Sequence, residues 1–142
     1  MSAAQTVKIK AVKVKKALMN DKAYLFTKTQ RLLTPAQYKQ VFDNAIKKIH
    51  SPHLMLFVAN TSDDVPHARL GLAITKKKLK NATDRNQLKR LMREHFRLNQ
   101  HNLPAVDVVL IVKQKYGKDV LIVDEVMALV QKLGRYSQLK LQ

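Results

Sequence analysis

The stretch from Arg69 to Lys113 constrains the fold most, because two short apolar runs there flank one long amphipathic helix. RLGLAIT (69–75) and VDVVLIVK (106–113) read as strands, the second well buried. Between them, residues Asp84 to Asn99 wound at about 100° per residue place Leu88, Leu91, Met92 and Phe96 on one side, with His95 among them. Asn86, Lys89, Arg90, Arg93 and Arg97 gather on the opposite side, and Gln87 and Glu94 lie along a flank. One side must meet a core and the other is left for solvent or a partner. Asp84 is expected to cap the helix, answered by Gln87 in a capping box. A strand, helix, strand unit of this kind ordinarily makes a right-handed crossover if its strands are parallel.

The remaining elements follow from the same signals. Thr34 and Pro35 read as N-cap and first helical position of a helix over residues 34–48, with Tyr38, Val41, Phe42, Ala45 and Ile46 sharing a face. LMLFVAN (54–60) reads as a strand paired with 69–75 across a polar loop holding Asp63, Asp64 and Pro66. Asn102 and Pro104 break the chain before the strand at 106, and a turn at Gly117 follows it. Val120 to Leu133 predicts a last helix with Val123, Val126, Met127, Val130 and Leu133 as its stripe, and Gly134 as its C-cap. The order α, β, β, α, β, α predicts an α/β (α+β) two-layer sandwich, helices covering a small mixed sheet. A single domain over residues 31–137 is expected, after a basic extension (1–30) and before a short tail (138–142). Residues 1–30 alternate Val or Ile with Lys and carry too little apolar surface to order alone, which suggests an arm that orders on a partner.

Charge narrows the function. The chain of 142 residues carries 27 Lys and Arg against 10 acids, a net +17. Residues 69–97 hold ten cations and two acids, and residues 1–30 hold seven and one. Residues 31–68 and 98–142 contribute little. A basic helix face is most often just solvated surface, but a pI near 10.3 with the cations clustered is the footprint of a nucleic-acid binder. The absence of cysteine excludes disulfides, a thiolate nucleophile and any Cys-containing zinc site. No apolar run approaches the ~18 residues of a membrane span, and the N-terminus lacks the apolar centre of a signal peptide. A soluble, cytoplasmic protein is expected.

A catalytic constellation is hard to find. His50 and His53 have a spacing that could put two imidazoles on a metal, but no third ligand lies nearby, so no metal site is expected. Asp63 and Asp64 read as loop solubilisers, and His95 as a core or boundary residue. Gly71, Gly117 and Gly134 are isolated, so there is no Gly-rich phosphate loop, and no G-x-S-x-G is present.

The central block carries a resemblance. Arg85-Asn86-Gln87-Leu88-Lys89-Arg90-Leu91-Met92-Arg93-Glu94, with Phe96 two residues on, is similar to the Arg- and Asn-rich signature of the bacterial ribonuclease P protein component. As in that family it is preceded by Gly71-Leu72-Ala73-Ile74-Thr75-Lys76-Lys77 and followed by Leu103, Pro104 and Asp107. Upstream, Arg31-Leu32 followed by Tyr38 and Val41-Phe42 resembles the family's first helix, so the likeness runs from about Arg31 to Leu133.

The resemblance implies the small subunit of a ribozyme that removes 5′ leaders from precursor tRNA, with hydrolysis performed by the RNA and its bound Mg²⁺ and no catalytic residue or metal on the protein. It also implies a left-handed β-α-β crossover, against the general rule. By position, Lys76, Lys77, Lys80, Arg85, Asn86, Lys89, Arg90, Arg93 and Arg97 are expected to meet the catalytic RNA. Tyr38 and Phe42, with Phe57 on the sheet, are expected to line a cleft for the single-stranded leader, where unpaired bases stack on aromatics. Tyr38 and Phe42 can equally be core residues of an amphipathic helix. Gln87 stands where the family commonly has arginine, which trades a charge-assisted phosphate contact for a neutral one. The implied partners are the catalytic RNA and precursor tRNA, with no membrane and no required protein partner. The alternative is a structural RNA-binding protein such as a ribosomal protein. A DNA-binding helix-turn-helix is disfavoured because the helix before the basic one lies two strands upstream, and a free-standing nuclease because the catalytic groups are missing.

Overall fold

In the computed structural model, which describes residues 26, 28–61 and 65–141, the chain runs α1 (Pro35–Asp43), β1 (Lys47–His50), β2 (Leu54–Asn60), β3 (Arg69–Ala73), α2 (Ala82–Asn99), β4 (Val106–Val112) and α3 (Ile122–Leu141). Short 3-10 turns occupy Lys28–Gln30 and Gln100–Asn102. The basic extension up to residue 25 and the pair Asp63 and Asp64 lie outside the described residues.

The four strands form one mixed sheet in the order β1-β2-β4-β3, with β3 parallel to β4 and the other pairs antiparallel. The expected pairing of 54–60 with 69–75 is therefore incorrect, because β4 lies between them. Val106 through Leu110 are all buried, and the strand with apolar groups on both faces takes the centre, where both faces are covered. Parallel pairing of β3 with β4 requires a crossover, which α2 supplies.

The first helix opens as expected. Thr34 Oγ1 accepts from the Gln37 amide at 3.3 Å, and Gln37 Oε1 accepts from the Thr34 amide at 3.1 Å. It ends at Asp43, not at Lys48, because the Asn44 amide and Asn44 Nδ2 both donate to Gln40 O at 3.0 Å and close the last turn. Ile46 N then donates to Val58 O at 2.8 Å, and the next four residues become β1, in register Lys48↔Phe57. With Ile49 its one apolar side chain, β1 has no pattern that marks a strand, and only pairing with β2 defines it.

The helices divide between the two faces of the sheet. Leu54, Leu56 and Val58 of β2, Leu70 of β3, and Val106, Val108, Leu110 and Val112 of β4 point to one face. There they meet Leu88, Met92 and Phe96 of α2 and Val126, Leu129, Val130 and Leu133 of α3. Leu91 and His95 flank that stripe half-buried, and Phe26 packs edge-to-face on Phe96 with centroids 5.7 Å apart. On the other face α1 lays Val41 against Ala59 and Val109, with Leu32 beside it.

Two helix ends differ from expectation. α2 begins at Ala82 with Asn81 as N-cap residue, so Asp84 sits inside the first turn and accepts from Asn81 Nδ2 at 3.3 Å. Gln87 lies too far along α2 to close a capping box. α3 passes through Gly134 into the residues expected to form a tail, since no described glycine has positive φ and Tyr136 still reaches the core. Glycine inside a helix costs roughly 0.5–1 kcal/mol relative to alanine. Burial of Leu133 and partial burial of Tyr136 outweigh that cost. The α3 stripe also uses Ile122 and Leu129, with Val123 and Met127 half-buried.

A polar clasp ties α3 to the turn between β1 and β2. Buried Glu125 accepts from Ser51 Oγ at 2.6 Å and from the His53 amide at 2.8 Å, and its Oε2 lies 2.7 Å from His53 Nδ1. Burial by itself raises the Glu125 pKa, but the bonds from Ser51 and His53 outweigh it and hold the carboxyl below its usual range. Tyr116, edge-on to His53, is pushed up to about 12 by burial and then by Asp84 and Glu125.

Candidate nucleic-acid interface

The basic face is built on α2 and the turn before it. Thr75 O accepts from the Lys78 and Leu79 amides at 3.2 and 3.0 Å, and buried Leu79 anchors that turn to the core. Arg85 Nη1 donates to both Leu79 O and Lys80 O at 2.7 Å, which fixes the turn against the start of α2. Lys76, Lys77 and Lys80 are thereby held exposed beside the helix N-terminus, whose unpaired amides add positive potential. Asn86, Gln87, Arg90 and Arg93 are exposed along the helix.

The cations of this segment are not equivalent. Arg69 makes a two-pronged bond to Asp107, Nε to Oδ1 at 2.7 Å and Nη2 to Oδ2 at 2.6 Å, clamping β3 to β4. Arg97 is ion-paired with Glu94, and Arg85 spends part of its guanidinium on the lysine turn. Lys76, Lys77, Lys80, Lys89, Arg90 and Arg93 enter none of the ion pairs found among the described residues.

Lys89 and Arg93, one turn apart, lean over a groove of about 260 Å³ that Phe26, Arg31, Leu32, Leu33, Tyr38, Leu70 and Leu72 complete. Arg31 sits there with its guanidinium 4.8 Å from the Phe26 ring centroid. Nothing in the sequence pattern places Arg31 and Phe26 at this groove, and Arg31 is brought beside α2 by its bridge to Leu70 of β3.

The three aromatics separate. Phe42 and Phe57 meet edge-to-face, 4.9 Å between centroids, with Phe42 38% exposed and Lys48 Nζ 5.4 Å from the Phe57 centroid. Tyr38 does not join them. Its hydroxyl accepts from the Leu72 amide at 3.0 Å and its ring lies over Gly71, where an ideal Cβ would come 2.7 Å from Tyr38 Cε1. Tyr38 is therefore both a packing residue of α1 and a wall of the Lys89 and Arg93 groove, while Phe42, exposed, and Phe57, half-buried, pair apart from it.

The two histidines with metal-like spacing are apart in role: His53 serves the clasp, and exposed His50 has Lys113 Nζ 3.4 Å from its Nδ1. Among the described residues no three His, Asp or Glu side chains are grouped to hold a metal ion, and no helix is long and apolar enough to cross a membrane.

The family model for ribonuclease P matches residues 26–134. The chain belongs to the ribonuclease P protein family. The ribonuclease P protein component of a Psychrobacter strain is 50% identical over 91 residues, covering 64% of this chain and 68% of the relative. Among solved structures, the ribonuclease P protein of Thermotoga maritima is 27% identical with a TM-score of 0.64, covering 74% of this chain and 98% of that one. The Staphylococcus aureus protein, at 22% identity and a TM-score of 0.63 over 76% of this chain and 94% of that one, shows the shared fold. Family membership makes this an RNA-binding component of a ribonucleoprotein nuclease of tRNA processing. Phe26, where the matched region begins, also packs on the core through Phe96.

Proposed function

We propose that this chain binds the catalytic RNA of ribonuclease P through α2 and the lysine turn, and holds the 5′ leader of precursor tRNA on Phe42 and Phe57 while the RNA cleaves it. The observation that carries the reading is the row of cations on α2, Lys89, Arg90 and Arg93 with Asn86, none of the three cations tied to a carboxylate among the described residues. Cations left without carboxylates repel one another and are relieved by phosphates. Lys76, Lys77 and Lys80 extend the row. Arg85 contributes by holding the turn, and Arg97 by its place beside Glu94 at the far end. Gln87, exposed next to Asn86, offers a neutral bond where the family commonly has a charge.

The chemistry belongs to Mg²⁺ carried by the RNA; the protein neutralises phosphates and orients the substrate. Leader bases stack on the Phe42 and Phe57 pair without sequence preference, and Lys48 beside Phe57 supplies a cation for the neighbouring phosphate. Tyr38 sets the position of α1, and so of Phe42. The protein acts in the cytoplasm, with the catalytic RNA and precursor tRNA as its partners and no other protein required. The test is whether folded protein lowers the Mg²⁺ that its cognate RNA needs to remove a leader. No reduction refutes the reading, and co-sedimentation with ribosomes instead would favour a structural ribosomal role.

A further inference from the structure

The groove beneath Lys89 and Arg93 takes a third cation, Arg31, from the segment before α1. The backbone there is fixed against the β3 edge, with Leu32 N donating to Leu70 O at 3.0 Å and Arg31 N to Lys28 O at 3.1 Å. The Arg31 guanidinium lies over the Phe26 ring, and Phe26 is itself set edge-on against the buried Phe96. Arg31 and Arg93 are exposed, Lys89 is half-buried, and none of the three enters an ion pair among the described residues. No acidic side chain lines the groove. An arginine over an aromatic ring often does no more than cover it. That accounts for Arg31 alone, not for Lys89 and Arg93 converging on the same groove from another element.

The groove is continuous with the row of cations on α2, because Lys89 and Arg93 belong to both and lie within one helical turn of Asn86 and Arg90. Its β3 residues also face that side: Leu70 is part of the core under α2 and Leu72 packs against it, whereas Phe57 packs with Val41 and Val109 on the α1 face. At about 260 Å³ the groove is smaller than the ~300–1,000 Å³ of sites for drug-sized ligands, which suits one phosphate with its sugar. We infer that Arg31, Lys89 and Arg93 form a three-cation clamp on a single backbone phosphate of the catalytic RNA. This rests on the proposed binding of that RNA by α2, and it adds a phosphate ligand that α2 alone does not supply. Three cations brought together without a carboxylate repel one another, and one phosphate relieves all three. Stacking on Phe26 orients the guanidinium in the free protein, so little side-chain freedom is lost when it bonds.

The test maps which phosphates of the catalytic RNA block binding of the full chain when they are ethylated. One blocking position should vanish in Arg31→Gln, and the same one in Arg93→Gln, while positions due to Arg90 persist. Arg31→Gln should also weaken binding roughly tenfold, the share of one charge-assisted bond, and make the salt slope shallower by roughly 0.7–0.9. Joined with Arg93→Gln it should cost less than the product of the two single losses, because both groups serve one phosphate. Arg31→Met, which keeps an apolar stem on Phe26, should show the same losses and serves if Arg31→Gln lowers the thermal midpoint. Unchanged affinity and an unchanged map in the Arg31 variants overturn the inference, as does a loss confined to precursor tRNA. If Arg90→Gln also leaves binding and map unchanged, the α2 reading fails and the clamp with it. Normal Arg90 dependence beside silent Arg31 variants sinks the clamp alone.

Discussion

Gly71→Ala in β3 asks whether the Tyr38 ring is what requires a glycine at residue 71. An ideal Cβ at Gly71 would lie 2.7 Å from Tyr38 Cε1, 2.9 Å from Leu32 Cδ1 and 3.0 Å from Tyr38 Cζ. Comfortable carbon contacts begin near ~3.5 Å, so the ring must retreat by up to about 1 Å. The end of Leu32 can rotate aside cheaply. The Tyr38 ring cannot, because its hydroxyl is held by the Leu72 amide and its helix is capped at Thr34. Overpacking of this kind costs about 1–3 kcal/mol, and weakening the hydroxyl bond adds up to ~1 kcal/mol. Loss of glycine freedom in the unfolded chain returns about 0.4–1 kcal/mol. The net is a destabilisation of about 1–3 kcal/mol, near ~4 °C in thermal midpoint for each kcal/mol in a domain of this size. Urea titration in a double-mutant cycle with Tyr38→Ala isolates the cause: with the ring removed, Gly71→Ala should cost less than about 0.5 kcal/mol. Equal cost in both backgrounds would refute the argument that the ring is what excludes a side chain at residue 71.

Further outcomes are expected. Phe42→Ala should reduce the preference for precursor over mature tRNA by about 1–3 kcal/mol at fixed salt, measured by holoenzyme binding; full preference in a folded variant removes the stacking role. Arg90→Ala should weaken binding to the catalytic RNA and make its salt slope shallower by roughly 0.7–0.9, whereas an unchanged slope means Arg90 meets no phosphate. Glu125→Gln should destabilise the protein by roughly 1.5–3 kcal/mol at neutral pH, through weaker bonds to Ser51 and His53. Because folding lowers the Glu125 pKa, its contribution is complete above the unfolded carboxyl value, about 4.3, and is lost as pH falls through the folded one. Denaturation curves of the variant and wild type should therefore converge in acid; a constant gap would show that the charge of Glu125 is not what the clasp uses.

Local pattern determined a large part of this protein. The spacing of Leu88, Met92 and Phe96 committed α2 to a buried stripe, which placed Asn86, Arg90 and Arg93 outside, because helix period alone relates the two faces. Thr34, Pro35 and Gln37 determined the start of α1 through bonds among near neighbours. The signature around Arg85 to Phe96 points to the family by residue order alone. Tertiary structure decided what depends on distant partners. β1 exists because β2 accepts it, β4 separates β2 from β3 because its apolar groups on both faces need the centre, and Gly134 stays helical because Leu133 and Tyr136 have a core to reach. Pairing decided which cations are available: Arg69 and Asp107 are 38 residues apart, and nothing local marks Arg69 as spent. The same holds for Lys47 and Lys48 with Lys132 and Arg135, which lie in charge-poor segments and line one groove only because α3 packs beside β1. Sequence pattern reports what neighbours a few residues apart can do, and charge converging from separate elements is visible only once the chain has packed.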